Sequence, residues 1–233
     1  MDNQNSRTEM LIGKEGVERL GKARVAVFGV GGVGGYAVEA LARAGIGDIT
    51  LVDSDRVALS NINRQIIATH DSVGKYKCDC FRERILSINP EAKVTVHNLF
   101  FSEETKSLFD FSSYDYVIDA IDSLASKIEL IALAKAAGTP IISAMGAGNK
   151  LDPTKFEVSD ISKTTVCPLA RAVRIALRKR GINHLKVVYS MEEPVIKNNL
   201  DEEGNRVPAS ISFVPSVMGL IIAGEVIKDI ATE

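Results

Sequence analysis

Short apolar runs alternate with longer segments of helical periodicity along the first 150 residues of the chain. Runs of four or five residues rich in valine and isoleucine predict buried strands, while the segments between them repeat apolar residues at helical spacing. Strands that alternate with helices of this length predict a parallel sheet covered by helices on both faces. The predicted strands are residues 24–28, 48–52, 93–97, 114–118 and 140–144.

Turn residues mark the ends of the predicted helices. Gly45 and Gly47 follow one helical segment, and Asn89 with Pro90 closes another. The predicted helices cover residues 16–20, 32–44, 73–88, 103–109 and 126–137. Right-handed crossovers would bring the carboxyl ends of all these strands to one edge of the sheet, where ligands bind.

The last third of the chain departs from this alternation. It contains predicted strands at 156–161 and 185–190, a predicted helix at 168–179 and a polar loop at 191–208. The apolar stretch 211–227 contains Pro215 and Glu225 and predicts a buried helix rather than a membrane span, which needs about 20 apolar residues. We expect one α/β domain: a Rossmann-like, doubly wound, mainly parallel sheet extended by C-terminal strands and a C-terminal helix.

The composition is that of an ordinary globular protein, with 45% hydrophobic and 25% charged residues. The formal net charge is −2 and the sequence pI is about 6.0, so nucleic-acid binding would require a local basic patch. Cys78, Cys80 and Cys167 lack the paired spacing of a zinc site or a disulfide framework. Residues 1–7 are polar and unlike a signal peptide, so we expect a cytoplasmic protein that does not associate with membranes.

The end of the first predicted strand carries the strongest chemical signal. Gly29, Gly31 and Gly34 fit the G-x-G-x-x-G spacing. In that motif glycines permit a tight turn, close approach of the backbone to phosphate, and close packing of helix on strand. Asp53 ends the second strand, where an acid can bind a ribose hydroxyl. The chain is therefore predicted to bind a nucleotide, and this fingerprint alone favours a dinucleotide and redox chemistry.

Further charged residues narrow that prediction. Arg64 follows the second strand, Lys77 lies early in the next helix, and Asp122 follows the fourth strand. Two bases can neutralise phosphate oxygens and an acid can hold a metal ion, so this set favours a triphosphate with magnesium. A nicotinamide site needs no such surplus of positive charge.

The order and spacing of these residues resemble those of the ubiquitin-activating-like, or ThiF-type, adenylating enzymes. The resemblance extends from residue 7 to about residue 150. Its motifs are Gly29-Val30-Gly31-Gly32-Val33-Gly34, Asp53-x-Asp55, Asn61-Ile62-Asn63-Arg64-Gln65, Lys77 and Asp119-Ala120-Ile121-Asp122. It implies a single ATP-binding adenylating domain over residues 1–233, with a nucleotide-binding core at 1–150 and a substrate-side extension at 151–233.

The resemblance also implies individual roles. The nucleotide-binding set would comprise Gly29, Gly31, Gly32, Gly34, Asp53, Asp55, Asn61, Arg64, Gln65 and Lys77. Within it, Asp53 would hold the ribose, and Arg64 and Lys77 would neutralise phosphates and act in catalysis. Asp122 would bind catalytic magnesium, and a monovalent cation is a further expectation. Arg7 would reach the ATP of the neighbouring protomer as a catalytic residue, which implies a homodimer.

Within this family the chain most resembles the branch that acts on threonylcarbamoyladenosine in tRNA. The supporting segments are residues 119–123, 146–148, 151–154, 160–164, 167–170 and 211–216. Those enzymes use ATP to close the threonylcarbamoyl side chain into a ring with loss of water. The resemblance implies a modified tRNA as substrate, adenylation of its side-chain carboxylate, attack by a nitrogen of the same side chain, and a sulfur-transfer protein as a candidate partner.

Two features of the last third admit both a functional and a plain interpretation. Arg171, Arg174 and Arg178 share one predicted helix face, which is either a phosphate-binding strip for tRNA or a solvated surface with ion pairs. Cys167 precedes Pro168 at a helix start, where a thiol can become a nucleophile. A packed or capping thiol is the plainer interpretation of Cys167.

Three other functions share part of this pattern. A sulfur-carrier adenylyltransferase of the same fold would use the same ATP residues, although many such relatives hold zinc with two cysteine pairs that this sequence lacks. An NAD(P)-dependent oxidoreductase would explain the glycine turn and Asp53 but leave Arg64, Lys77 and Asp122 without roles. A non-catalytic nucleotide-binding adaptor is the third alternative.

Overall fold

The computed structural model describes residues 4–196, 200, 204 and 207–232. In this part of the chain the strands are β1 (Arg24–Phe28), β2 (Asp48–Val52), β3 (Lys93–His97), β4 (Tyr116–Asp119), β5 (Ile141–Ala144), β6 (Phe156–Asp160) and β7 (Lys186–Ser190). They form one sheet in the order β3-β2-β1-β4-β5-β7-β6, in which only the β6–β7 pair is antiparallel. The prediction of a doubly wound, mainly parallel sheet extended by C-terminal strands is confirmed.

Helices cover both faces of this sheet. They are α1 (Ser6–Lys22), α2 (Gly34–Ala44), α3 (Lys77–Ile88), α4 (Leu124–Ala136), α5 (Pro168–Lys179) and α6 (Phe213–Thr232). Val25 and Val27 of β1 enter the core shared with α1, α2, α3 and α6, whereas Ala26 and Phe28 enter the core shared with α4 and α5. Burial on both faces explains why the central strands are continuously apolar.

Helix boundaries differ from the predicted ones for local reasons. The first helix begins at Ser6 rather than at residue 16, and Gly13, with a φ of 74°, kinks it. The second begins at Gly34 rather than at residue 32, because the glycine turn is completed before the helix starts. The helix predicted at 103–109 is only a 3₁₀ turn, Lys106–Leu108.

Residues before α3 pair with the loop that follows β2. The backbone N–H of Val57 donates to the Lys75 carbonyl (2.9 Å), and that of Lys77 donates to the Asp55 carbonyl (3.0 Å). Gly74, with a φ of 88°, turns the chain into this pairing. The helix predicted from residue 73 therefore begins only at Lys77, and its first residue lies close to the end of β2.

The C-terminal helix α6 packs on α1 and α2. Gly219 allows a close approach, since a Cβ at this position would lie 2.2 Å from the Val33 carbonyl oxygen. The Arg19 guanidinium donates from Nε to the Ala231 carbonyl (3.1 Å), which fixes the far end of α6 to α1. Among the described residues, none of the helices combines the length and apolar character needed to cross a bilayer.

Two glycines of α6 test this packing. Gly219→Ala should lower the free energy of unfolding by about 1–3 kcal/mol, because the new methyl group meets backbone of α2. Gly224→Ala is the matched control: its Cβ would meet nothing within 4 Å, and it should raise the free energy of unfolding by about 0.5–1 kcal/mol. Urea denaturation followed by circular dichroism measures both. Equal stability of the two variants would contradict the assigned contact.

Candidate active site

A cavity of about 690 Å³ opens at the carboxyl ends of β1, β2, β4 and β5. A volume of this size suits a nucleotide or another small ligand. The predicted nucleotide-binding residues that line it are Gly29, Gly31, Gly32, Asp53, Asp55, Asn61, Arg64, Gln65 and Lys77. Asp122 also lines it, so residues predicted from five separate motifs meet in one cavity.

The three glycines of the turn have different surroundings, so a side chain at each position would have a different effect. A Cβ on Gly29, where φ is 85°, would lie 2.6 Å from the Ala120 carbonyl oxygen, and a Cβ on Gly34 would lie 1.8 Å from the Gly29 carbonyl oxygen. Gly34 thus lies against the turn and does not line the cavity. Gly31 is open, since its nearest neighbour would be Gln65 Nε2 at 3.6 Å. Of these three glycines, only Gly31 leaves the space beside its Cα open to a ligand.

Asp53 links β2 to the glycine turn. Its Oδ2 accepts a hydrogen bond from the Val30 backbone N–H (2.9 Å), and its Oδ1 accepts one from the Asp55 backbone N–H (2.9 Å). A carboxylate offers about four lone-pair sites, so two of them remain for a ligand hydroxyl. Asp53 therefore fixes the turn and also fits the ribose contact predicted for it.

The two bases at this end of the cavity are held in place by neighbouring oxygens. Lys77 is only 5% exposed, and its Nζ lies 2.7 Å from Asp55 Oδ2. The Arg64 guanidinium donates from Nη1 to the Ser60 carbonyl (3.0 Å) and to Asn63 Oδ1 (2.8 Å). Their positions are thus set before any ligand binds, which favours binding of an anion.

Gln65 supplies a buried acceptor that lacks a protein donor. Its side chain is 6% exposed, and its Oε1 has no hydrogen-bond partner among the described residues. Leaving a buried polar atom unsatisfied costs about 1–3 kcal/mol. A ligand in the adjoining cavity that donates a proton to this oxygen would recover that energy, so the site fits a ligand with hydroxyl or amino groups.

The two acids after β4 occupy different environments. Asp122 is exposed and lines the cavity. Asp119 is fully buried, pairs with Lys127 (Nζ to Oδ2, 2.8 Å) and accepts the Ile121 backbone N–H on Oδ1 (3.1 Å). No group of three or more potential metal-binding side chains occurs among the described residues. Magnesium here would therefore be shared between Asp122 and ligand phosphate oxygens.

The far end of the cavity is built around the loop after β5. Asn149, with a φ of 59°, donates its backbone N–H to the Ala209 carbonyl (2.8 Å) and accepts the Ala209 N–H on Oδ1 (2.7 Å). Its carbonyl accepts the Val195 N–H (2.8 Å). The loop predicted at 191–208 is therefore attached here at both sides, while residues 197–199, 201–203 and 205–206 lie outside the described residues.

Lys150 and Cys167 both line this end of the cavity, and no motif in the sequence predicts Lys150 there. Lys150 is 6% exposed and donates to the Glu192 carbonyl. Burial lowers the pKa of Lys150, and the nearby Glu192 carboxylate opposes this shift only in part. The Glu192 carboxylate accepts the backbone N–H groups of Leu151 and Asp152 (both 3.0 Å). Cys167 is buried at the start of α5, as expected for a packed thiol.

Besides Gly34, four predicted residues lie outside the cavity. Arg7 is exposed on α1, and Arg171 and Arg178 are exposed on α5. Arg174 is half-buried and donates from Nη1 to the carbonyl (2.8 Å) and hydroxyl (2.6 Å) of Thr164. The three arginines of α5 are therefore not equivalent, because Arg174 is engaged in the fold.

A glycine turn at the end of β1, with two bases and an acid around one cavity, defines a nucleotide-binding α/β protein. The chain belongs to the ThiF family, whose family model matches residues 5–233. The family resemblance inferred from the motifs is confirmed.

Individual relatives show which members of this family the chain resembles. The tRNA threonylcarbamoyladenosine dehydratase of Bacillus subtilis is 47% identical over 242 residues, which cover 99% of this chain and 95% of that protein. A solved structure of the Escherichia coli tRNA N6-threonylcarbamoyladenosine dehydratase, TcdA, in complex with ATP has a TM-score of 0.89 at 35% identity, covering 98% of this chain and 94% of that chain. In sequence, the alignment spans 64% of the length of the E. coli dehydratase, at 44% identity.

A second kind of relative shares a smaller part of the chain. The adenylyltransferase and sulfurtransferase UBA4 of Vanderwaltozyma polyspora is 36% identical over 142 residues. That alignment covers 61% of this chain and 32% of the relative.

A substitution at Gly31 tests ligand binding without disturbing the fold. Gly31→Ala should leave the melting temperature within about 2 °C of wild type, because its methyl group meets only ordinary contacts. It should weaken nucleotide binding by about 10-fold or more, because the methyl group occupies the space left for phosphate. Calorimetric titration with ATP and thermal unfolding measure the two effects. Gly34→Ala, which clashes with backbone, should instead lower the melting temperature. Full ATP affinity in Gly31→Ala would refute this role.

Proposed function

We propose that this chain uses ATP to adenylate the carboxylate of the threonylcarbamoyl group on a tRNA adenosine and then closes that group into a ring. The observation that carries the proposal is one continuous cavity, which joins the proposed phosphate-binding residues at one end to a second end around the loop after β5, where Lys150 is the charged residue among the described lining. Similarity to the named dehydratases over nearly the whole chain supports the same substrate.

Each residue at the nucleotide-binding end of the cavity has a proposed function. Gly31 leaves space for a phosphate, Asp53 accepts ribose hydroxyls, and Arg64 and Lys77 neutralise phosphate oxygens. The free oxygen of Gln65 receives a donor from the nucleotide. Magnesium, held by Asp122 and the phosphates, would supply further charge neutralisation when bound.

The chemistry requires no nucleophile from the protein. An oxygen of the substrate carboxylate attacks the α-phosphorus of ATP, and pyrophosphate leaves. A nitrogen of the same side chain then attacks the acyl carbon, loses its proton, and displaces AMP, which carries away the carboxylate oxygen. Because the attack is intramolecular, its effective molarity reaches about 10⁵–10⁸ M when the atoms are aligned. A buried Cys167 is consistent with this direct route.

We extend the proposal to the organisation of the protein. The cavity is lined from both 1–150 and 151–233, as expected for one adenylating domain with a nucleotide-binding core and a substrate-side extension. Arg7 is exposed on α1 and does not line this chain's cavity, as expected for a residue that acts in the partner's site of a homodimer. Cytoplasmic location, a monovalent cation and a sulfur-transfer partner stay predictions.

Adenylation of a sulfur-carrier protein is the second candidate function. The similarity to UBA4 favours it, as does a thiol, Cys167, at the substrate end of the cavity. The smaller extent of that similarity makes it the weaker candidate. The oxidoreductase alternative has no comparable support, because Arg64, Lys77 and Asp122 all line the cavity.

The proposed reaction is tested with ATP, magnesium and tRNA that carries threonylcarbamoyladenosine. Nucleoside mass spectrometry should show loss of one water, with release of AMP and pyrophosphate. Asp122→Asn should lower kcat by about 100-fold or more, because it weakens the hold on the magnesium ion whose charge would stabilise the anionic transition state. Asp115→Asn, which alters an exposed pair with Arg24 before β4, should keep wild-type turnover.

Two outcomes would overturn the proposal. Release of AMP only in the presence of a ubiquitin-like carrier protein would assign the second candidate function. Tight binding of NADH without binding of ATP would assign an oxidoreductase.

We further propose that Arg171 and Arg178 bind the phosphate backbone of the tRNA. Both are exposed and without a protein partner among the described residues, and seven residues of helix place them about 10 Å apart. The cavity reaches the first residues of α5, Pro168 and Leu169, so this helix leads away from the substrate end. Arg174 anchors the helix to Thr164 instead of binding RNA.

The double variant Arg171→Ala/Arg178→Ala tests this strip. It should weaken tRNA binding and reduce the slope of log affinity against log salt by about 1.4, since each phosphate contact to a single strand contributes about 0.7. ATP affinity should not change. Filter binding over a salt series measures the slope. The matched control, Arg82→Ala/Lys135→Ala, removes two exposed charges elsewhere. Equal losses in both double variants would disprove a specific strip.

A further inference from the structure

A fully buried ion pair lies beneath the cavity, between the ends of β4 and β5. Lys127 of α4 and Asp119 of β4 are both 0% exposed, and Lys127 Nζ lies 2.8 Å from Asp119 Oδ2. Lys127 also donates to Ser143 Oγ (3.3 Å) and to the Ala144 carbonyl (3.0 Å), while Ser143 donates to Asp119. We call these four residues the β4–β5 clasp.

Stability is a weak explanation for such a pair. Removing two charges from water costs several kcal/mol per ion, and well-packed apolar residues of similar size are often as stable or more stable. Lys127 lies on the buried face of α4 with Leu130, Ile131 and Ala134, where an apolar side chain would be expected. The position of the clasp indicates another role, because both strand ends that it joins border the cavity.

The clasp is hydrogen-bonded to the loop that carries Asp122. Asp119 Oδ1 accepts the Ile121 backbone N–H (3.1 Å), which sets the course of the chain immediately before Asp122. The Ala120 N–H donates to the Phe28 carbonyl (2.8 Å), so the same loop is fixed to the start of the glycine turn. Asp122 itself has no protein partner among the described residues, and its direction depends on this loop.

The clasp also reaches the substrate end of the cavity. Ala144, whose carbonyl accepts from Lys127, lines the cavity and precedes the loop that includes Asn149. Lys127 and Asp119 do not line the cavity themselves. The pair therefore lies behind two cavity walls and acts on them through backbone contacts.

We propose that Lys127 is a positioning residue that, through the β4–β5 clasp, holds the Asp122 loop in the orientation that binds magnesium with ATP. This inference rests on the proposed function, because it takes Asp122 to be the residue that holds magnesium. Outer partners of metal ligands typically change metal affinity by about 10–100-fold when they are removed.

The test removes both charges together. Lys127→Met alone leaves Asp119 buried without a cation and should lower the melting temperature by about 6 °C or more. Lys127→Met/Asp119→Asn retains an acceptor for Ile121 and should melt within about 3 °C of wild type. The matched control, Lys93→Met/Asp48→Asn, removes a pair of similar length (3.0 Å) between the starts of β2 and β3.

ATP affinity is then measured by calorimetry with magnesium and with EDTA. In Lys127→Met/Asp119→Asn, the tightening of ATP binding by magnesium should fall by about 10–100-fold, while affinity in EDTA stays within about 3-fold of wild type. Lys127→Arg should recover part of the magnesium effect, and the control should retain all of it. Full magnesium-dependent tightening in the double variant, or an equal loss of affinity in EDTA, would overturn the proposal.

Turnover distinguishes this inference from the proposed function. Wild-type protein that binds ATP with magnesium but converts no modified tRNA would overturn the proposed function and leave the clasp to be decided by binding. Wild-type turnover together with an unimpaired double variant would overturn the clasp alone.

Discussion

The site depends on backbone segments that meet without side chains between them. Gly29 lies against the Ala120 carbonyl, and Gly34 lies against the Gly29 carbonyl, at distances that no Cβ could occupy. This contact brings the ends of β1 and β4 together and starts α2 directly above the turn. Asp53 can then accept the Val30 N–H, and Gly31 faces open space. The surface that we propose to bind phosphate is therefore a consequence of close packing between two strand ends.

The charged groups around this turn differ in what they contribute. The buried Lys77 ammonium pairs with the exposed Asp55 carboxylate. Gln65 presents a side-chain oxygen that has no donor among the described residues. Asp122 is accessible, whereas Asp119 is used internally. Two acids three residues apart thus separate into one that lines the cavity and one that accepts a hydrogen bond from the loop between them. Burial, rather than residue type, assigns the two roles.

Sequence patterns predicted the bounds of β1 and β2, because burial on both faces produces continuous apolar runs, and also those of the edge strand β3. The central strands β4 and β5 begin two residues and one residue later than predicted. Helix starts were less accurate where tertiary pairing intervenes, as with Lys75 before α3. Motif spacing predicted a set of nucleotide-binding residues, most of which the fold brings to one cavity. It could not reveal Lys127, whose partners come from two strands, although its place among buried Leu130, Ile131 and Ala134 is a periodic signal for burial. Nor could it show that Arg174 is bound to Thr164.

The packing of α6 has a consequence for how the protein acquires activity during synthesis. Gly219 of α6 supports α2 at Val33, and Pro215 lines the cavity, so the turn formed early in the chain is completed by a helix made much later. A nascent chain that has not yet released α6 exposes the apolar side of α2, which is a surface that chaperones bind. The cavity therefore reaches its complete form only after α6 has been synthesised and packed, so a site built mainly from early residues depends on a late one.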